Sequence, residues 1–135
     1  MILTDAGPLV ALVDRRDAAY ARCVAAARGL AGPMLSTWPV FTEAMYLLGA
    51  RGGWHGQEPL WATVRGGNLV LAEATATMLA RMPALMAQYH DLPMDLADAS
   101  LVALAEEQRL QRVFTLDRDF QVYRLPDGRA FETLP

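Results

Sequence analysis

The sequence predicts an α/β fold in which one parallel sheet is covered by helices on both faces, and three observations carry that expectation. Short apolar runs recur at residues 2–5, 34–36, 69–71 and 113–116, and helical periodicity fills the intervals between them. Each interval is long enough for the crossover that a parallel pair of strands requires. At 135 residues and 14.8 kDa the chain has the size of one ordinary domain, so residues 1–135 are read as a single unit with no second core.

Residues 2–5 form the first expected strand, which ends in Asp5; Pro8 then stands where a helix tolerates proline in its first turn, and a helix is expected over residues 9–13. Asp17 can cap an alanine-rich helix over residues 18–27, stopped by Gly29 and Gly32. Residues 34–36 are the second strand, and Thr37 caps a helix in which Val40, Phe41, Ala44, Leu47 and Leu48 recur at helical spacing. Residues 49–56 read as a glycine-rich turn, followed by a short helix over residues 59–64 that ends at Gly66 and Gly67. A third strand follows at residues 69–71. Residues 74–89 are helical, with Pro83 as a kink or as the start of a second piece. Residues 96–108 carry a continuous helical pattern, residues 113–116 a strand, residues 120–123 one helical turn, and residues 130–134 a final edge strand.

Composition narrows the function. With 53% hydrophobic and 20% charged residues and a mean hydropathy of +0.15, the chain is not disordered. Its longest charge-free stretch, residues 29–42, is interrupted by Gly32, Pro33 and Pro39 and falls short of the roughly 20 apolar residues of a membrane span. The first residues have no basic n-region and place Asp5 where a secretory signal is apolar, so a cytoplasmic protein with no membrane partner is expected. A single cysteine, Cys23, excludes a disulfide framework and a cysteine-based zinc site. All 12 basic residues are arginine; the absence of lysine excludes Walker-type phosphate loops, Schiff-base enzymes, receiver domains and haloacid-type phosphatases. The net charge of -3 and pI near 5.3 do not exclude nucleic acid, because carboxylates gathered around cations no longer repel it.

In an open parallel sheet, reactive groups belong at the carboxyl ends of the strands and at the starts of the helices that follow. Asp5 and Asp117 are expected there, in the similar settings Leu-Thr-Asp and Thr-Leu-Asp. Glu43 shares a helix face with Val40 and Leu47 and is expected on the apolar side, while Asp98 lies in line with Leu101, Val102 and Ala105. Each acid alone has a plain structural role as a turn former or a favourable charge at a helix start. Four such positions on one predicted edge are explained by none of those roles. Carboxylates sharing a small volume need positive charge between them. A ligand set made only of oxygen suits Mg²⁺ or Mn²⁺, and such ions promote in-line displacement at a phosphodiester. Two rival readings remain: a metal-dependent hydrolase of small phosphate esters, and a catalytically inert binding module.

The residues Leu3-Thr4-Asp5-Ala6-Gly7-Pro8-Leu9, Thr42-Glu43-Ala44, Asp95-Leu96-Ala97-Asp98-Ala99-Ser100-Leu101 and Thr115-Leu116-Asp117-Arg118-Asp119-Phe120 resemble, in this order and across nearly the whole chain, the four acidic signatures of PIN-domain ribonucleases. The resemblance is greatest to small bacterial toxins of the VapC type. It implies a parallel sheet in the order 3-2-1-4-5, Mg²⁺- or Mn²⁺-dependent cleavage of RNA, a toxin acting alone or as a homodimer, and a cognate antitoxin that blocks the acidic pocket. Carried over, Asp5, Glu43, Asp98 and Asp117 are the acidic quartet, both catalytic and metal-binding, and Asp119 is a further acid nearby. Asp95 is either a helix cap or a group at the pocket edge. Thr115 resembles the hydroxyl residue that accompanies the last acid, with an ordinary strand threonine as the alternative. One departure is visible at Tyr20, where family members often carry a histidine.

Among the remaining residues, His55 and His90 read as surface hydrogen-bonding groups, and Trp38, Trp54 and Trp61 are too far apart for a base-stacking platform. Trp54 is the best candidate among them for an exposed contact. Arg15, Arg16, Arg51, Arg118 and Arg124 are candidate phosphate partners. Residues 44–64 carry more apolar mass than one helix face needs, which leaves open whether part of it serves a partner or all of it the core.

Overall fold

A computed structural model describes residues 1–135. Five parallel strands, β1 (Ile2–Thr4), β2 (Met34–Thr37), β3 (Leu69–Ala72), β4 (Arg112–Phe114) and β5 (Glu132–Leu134), form one sheet in the order β3-β2-β1-β4-β5. The five helices are α1 (Ala6–Val13), α2 (Tyr20–Arg28), α3 (Trp38–Arg65), α4 (Ala76–Gln88) and α5 (Leu96–Gln108). Strand order and fold class agree with the sequence reading, and the last strand does form the edge.

β1 is buried along its whole length because both faces of the sheet are covered. Its alternation feeds two separate clusters. Ile2 and Phe114 pack with Ala11 of α1 and Cys23 of α2, while Leu3, Leu35 and Val113 join the larger cluster built mainly on α3, α4 and α5. Helix α5 is buried from Ala97 through Ala105, on every side rather than on one stripe, because it packs against α4, α3 and β2 together.

Several boundaries shift by a few residues in either direction. Helix α1 starts at Ala6 and runs through Pro8, whose missing N–H falls among the unpaired donors of the first turn. Asp17 accepts a hydrogen bond from the Ala19 amide, so it organises the turn before α2, which opens at Tyr20. Pro83 lies inside the single helix α4. β4 stops at Phe114, and the helical turn is a 3-10 turn at Arg118–Gln121.

The largest difference is at residues 49–56, where the expected turn is helical except at two residues. Gly52 (φ -149°, ψ 15°) and Gly53 (φ 58°, ψ -146°) break α3 into two arms. The arms then pass so close that a Cβ on Gly56 would stand 2.6 Å from the Leu48 carbonyl oxygen. The glycines here serve a sharp kink and a close approach rather than a loop. Gly53→Ala is expected to destabilise the fold by about 1–3 kcal/mol, because alanine is strained at that φ and ψ. Gly52→Ala, at negative φ with open space around it, is expected to have a smaller effect; urea denaturation of the two variants measures the difference.

Of the apolar mass in residues 44–64, Ala44, Leu48 and Leu60 enter the core, whereas Tyr46 and Trp54 are 74% and 57% exposed. Trp38 and Trp61 pack edge-on against Phe41. No helix is long and apolar enough to cross a membrane.

Candidate functional site

The amide of Asp5 donates to the Phe114 carbonyl at 2.9 Å, which carries the β1–β4 pairing one residue beyond β1 and holds Asp5 at the carboxyl edge of the sheet. Asp5 is also the N-cap of α1, where its Oδ1 accepts from the Ala6 amide at 2.8 Å. Its Oδ2 accepts from the Thr115 hydroxyl at 2.8 Å, and the Thr115 Oγ1 in turn accepts from the Asp117 amide at 3.0 Å. Thr115 is therefore the hinge that sets one acid's carboxylate and the other acid's backbone. Its position just past β4 makes this possible.

Asp98 stands in the first turn of α5, capped by Asp95, whose Oδ1 accepts from the Asp98 amide at 2.8 Å. The buried Tyr123 hydroxyl donates to Asp98 Oδ2 at 3.0 Å. Asp117 is exposed and heads the 3-10 turn, where its Oδ1 accepts from the Asp119 amide at 2.9 Å. It thus lies in the loop beyond β4 instead of at the strand end. One oxygen from each of Asp5, Asp98 and Asp117 lies within 4.8 Å of the others.

Glu43 requires a correction. It is exposed rather than on the buried side of its helix, and it is outside that three-acid cluster. The core stripe of α3 is Val40, Ala44 and Leu48; Glu43 and Leu47 sit one residue back from it, rotated about 100° away, and line the cleft. That cleft, about 610 Å³, is walled by Asp5, Glu43, Asp95, Asp98 and Asp117 together with Arg118. The quartet and Asp95 therefore share one cavity, with Asp5, Asp98 and Asp117 clustered and Glu43 and Asp95 outside that cluster. Asp95 is at once a cap and a pocket-edge group, and Asp119 does not line the cavity.

Burial is the main reason that Asp98 is pushed up from 3.8 to about 7, with the neighbouring charges of Asp95 and Asp5 adding to it and the Tyr123 hydrogen bond opposing it. Asp5 is raised chiefly by burial, against the hydrogen bonds from Ala6 and Thr115. Glu43 is raised by partial desolvation and then by Asp95, Asp5 and Asp117. Burial also raises the Tyr123 hydroxyl, so it remains a donor to Asp98. No arginine forms an ion pair with these acids. Such a site lowers its free energy by taking up protons or a cation.

The donor set fits a hard cation. One oxygen from each of Asp5, Asp98 and Asp117 lies within 4.8 Å of the others, a spacing that side-chain rotation can narrow so that the three share one ion. All the donors are oxygen, as Mg²⁺ and Mn²⁺ prefer.

Sequence reasoning missed three supports. Tyr123 sits far from Asp98 in the chain. The Thr37 and Ser100 hydroxyls, 2.6 Å apart, tie the end of β2 to α5 beneath the acids. The Ser36 hydroxyl donates to the Thr4 carbonyl at 2.7 Å, which binds β2 to β1. Serine and threonine at strand ends were the only available signal, and that signal is weak.

The chain is 26% identical over 135 residues to ribonuclease VapC26 of Mycobacterium tuberculosis, covering 99% of this chain and 100% of that one. Among solved structures it resembles Mycobacterium tuberculosis VapC20, a sarcin-ricin loop cleaving toxin, with a TM-score of 0.82 and 19% identity over 90% of this chain and 94% of that one. It also resembles a chain of a toxin-antitoxin complex from Klebsiella pneumoniae, with a TM-score of 0.68 and 18% identity over 89% and 90% of the two chains. The family model of the PIN domain matches residues 2–125, so with its sheet order and its acids at the carboxyl edge the chain belongs to the PIN domain family.

Proposed function

We propose that this protein is a Mg²⁺- or Mn²⁺-dependent endoribonuclease and the toxin of a toxin-antitoxin pair. The observation that carries the reading is the three-carboxylate cluster of Asp5, Asp98 and Asp117 within 4.8 Å at the carboxyl edge of a PIN fold. The likeness to ribonuclease VapC26 supports RNA as the substrate, and the likeness to a toxin-antitoxin complex supports a cognate antitoxin. The site of action on this reading is the cytoplasm.

Asp5, Asp98 and Asp117 would hold the cation. A bound divalent ion polarises the phosphodiester, lowers the pKa of a water and stabilises the leaving oxygen. Thr115 keeps Asp5 oriented, Tyr123 occupies one oxygen of Asp98 and leaves the other to the cleft, and Glu43 at the margin orients the attacking water or serves as a further ligand. The exposed Tyr46 and Trp54 of α3 are the surface assigned to a second copy in a homodimer or to the antitoxin.

Purified protein incubated with a pool of structured RNAs is expected to cut in Mn²⁺ and not in EDTA. Hydrolysis of a generic phosphatase substrate without RNA cleavage would favour the small-ester reading, and the loss of both cleavage and Mn²⁺ binding would leave the inert binding module.

A further inference from the structure

Of the arginines that the sequence marks as phosphate partners, the structure commits three elsewhere. Arg51 bridges Asp14 and Asp17 at 3.0 and 2.8 Å, Arg16 lies 3.7 Å from Asp14, and the Arg124 guanidinium donates to the carbonyls of Gln121, Val122 and Tyr123. Arg15 lines neither the acidic cavity nor its neighbour. Arg118 has no carboxylate partner, and it is joined by Arg22 of α2, which is also exposed and unpaired.

Both arginines line a polar cavity of about 180 Å³ beside the acidic one, together with Gln121 and Thr133. Leu116, Asp117 and Arg118 wall both cavities, so the two adjoin in one groove, with Arg118 at their boundary and Arg22 on the side away from Asp5, Glu43, Asp95 and Asp98. No other arginine lines either cavity.

A nucleic acid strand passing through this groove meets two different requirements. Cations held by the acids offset the charge of the phosphate under attack. The adjacent phosphate lies outside their reach, next to a row of carboxylates, and needs counter-charge from the protein. Free guanidinium groups supply it with planar pairs of donors that match phosphate oxygens.

We propose that Arg22 and Arg118 form a subsite for the RNA backbone phosphate next to the scissile one, on the Asp117 side of the acidic cavity. This rests on the reading of the acidic cavity as a ribonuclease site. The subsite fixes which way the strand runs through the groove and carries no base specificity of its own.

The test uses the intact protein with Mn²⁺ and a fluorescent single-stranded RNA that it cleaves, and compares Arg22→Ala, Arg118→Ala and the double variant with Arg28→Ala, an exposed arginine on the same helix that lines neither cavity. Each subsite substitution is expected to raise KM about tenfold with kcat changed less than about twofold, and to lower the salt slope of binding by about one. Arg28→Ala is expected to change neither. A single neutral methylphosphonate next to the scissile linkage is expected to weaken binding to the wild type and to add nothing in the double variant. Unchanged KM and slope in the variants, or a methylphosphonate effect that adds in full to the substitutions, overturns the subsite while the ribonuclease reading stands. A wild-type protein that neither binds Mn²⁺ nor cleaves RNA overturns both.

Discussion

Asp98→Asn is expected to lower Mn²⁺-dependent RNA cleavage by more than about 100-fold, the upper end for losing a group that only orients a metal ligand, and yet to stabilise the metal-free protein. Both effects have one origin. Asp98 is buried, and its carboxyl is pushed up to about 7 because burial and the nearby Asp95 and Asp5 all disfavour its charge. At pH 8 in EDTA the carboxylate is ionised and offset only by the Tyr123 hydrogen bond, and its removal relieves about 4 kcal/mol at most. Asparagine has nearly the same shape and keeps an oxygen that can accept from the Tyr123 hydroxyl, so the packing is retained. Urea denaturation at pH 8 in EDTA should therefore show a higher midpoint for the variant, and isothermal titration should show weaker Mn²⁺ binding. A variant that is both less stable and fully active would remove Asp98 from the site.

The second large effect is in the pH dependence of the metal-free protein. A carboxyl whose folded value is about 7 and whose unfolded value is about 3.8 keeps its proton in the folded state over a window in which the unfolded chain has released it. The folded state binds more protons there, so stability falls as pH rises from about 4 to about 7 and levels off above. Asp5 is raised for the same reason and acts in the same direction. Asp14 and Asp17 run the other way. Hydrogen bonds from the Arg16 amide and Arg51 hold the first below the usual carboxylate range, and that from Arg51 holds the second there, so their stabilisation is present above about pH 4 and is lost only below it. Melting temperatures in EDTA are thus expected to fall between pH 5 and pH 7.5, and Asp98→Asn is expected to make that slope shallower, leaving the part that Asp5 and Glu43 contribute. Mn²⁺ must displace the proton from Asp98, so its affinity should increase over the same window. A melting temperature that rises with pH across this range would mean that Asp98 is already ionised in the folded protein.

Much of this site was legible because it is written in positions that local rules can read. Asp5 follows an apolar run and precedes a proline-containing first turn, Asp98 opens a helix with a continuous helical pattern, and Asp117 follows an apolar strand, so each falls where a parallel sheet puts its working edge. The misreadings have equally local causes. Six of the ten glycines lie between Gly49 and Gly67, and that density suggested a loop in residues 49–56; the two arms of α3 instead use Gly56 for contact and need only Gly52 and Gly53 for the bend. Glu43 shares the apolar face in projection, yet at that level of α3 the neighbouring space is the cleft and not the core.

By itself the sequence determined the alternation of strands and helices and the chain positions of the four acids, since these follow from hydrophobic period and residue type. Only the tertiary structure decided which side chains meet. Thr115 bonds Asp5 across 110 residues, Tyr123 reaches Asp98 from beyond the 3-10 turn, and Arg51 is withdrawn into ion pairs with Asp14 and Asp17 while Arg22, which the sequence did not mark, comes to the groove beside Arg118. These pairings depend on how α1, α2 and α5 are docked on the sheet, and docking is governed by the packing of the whole core, which no local period encodes.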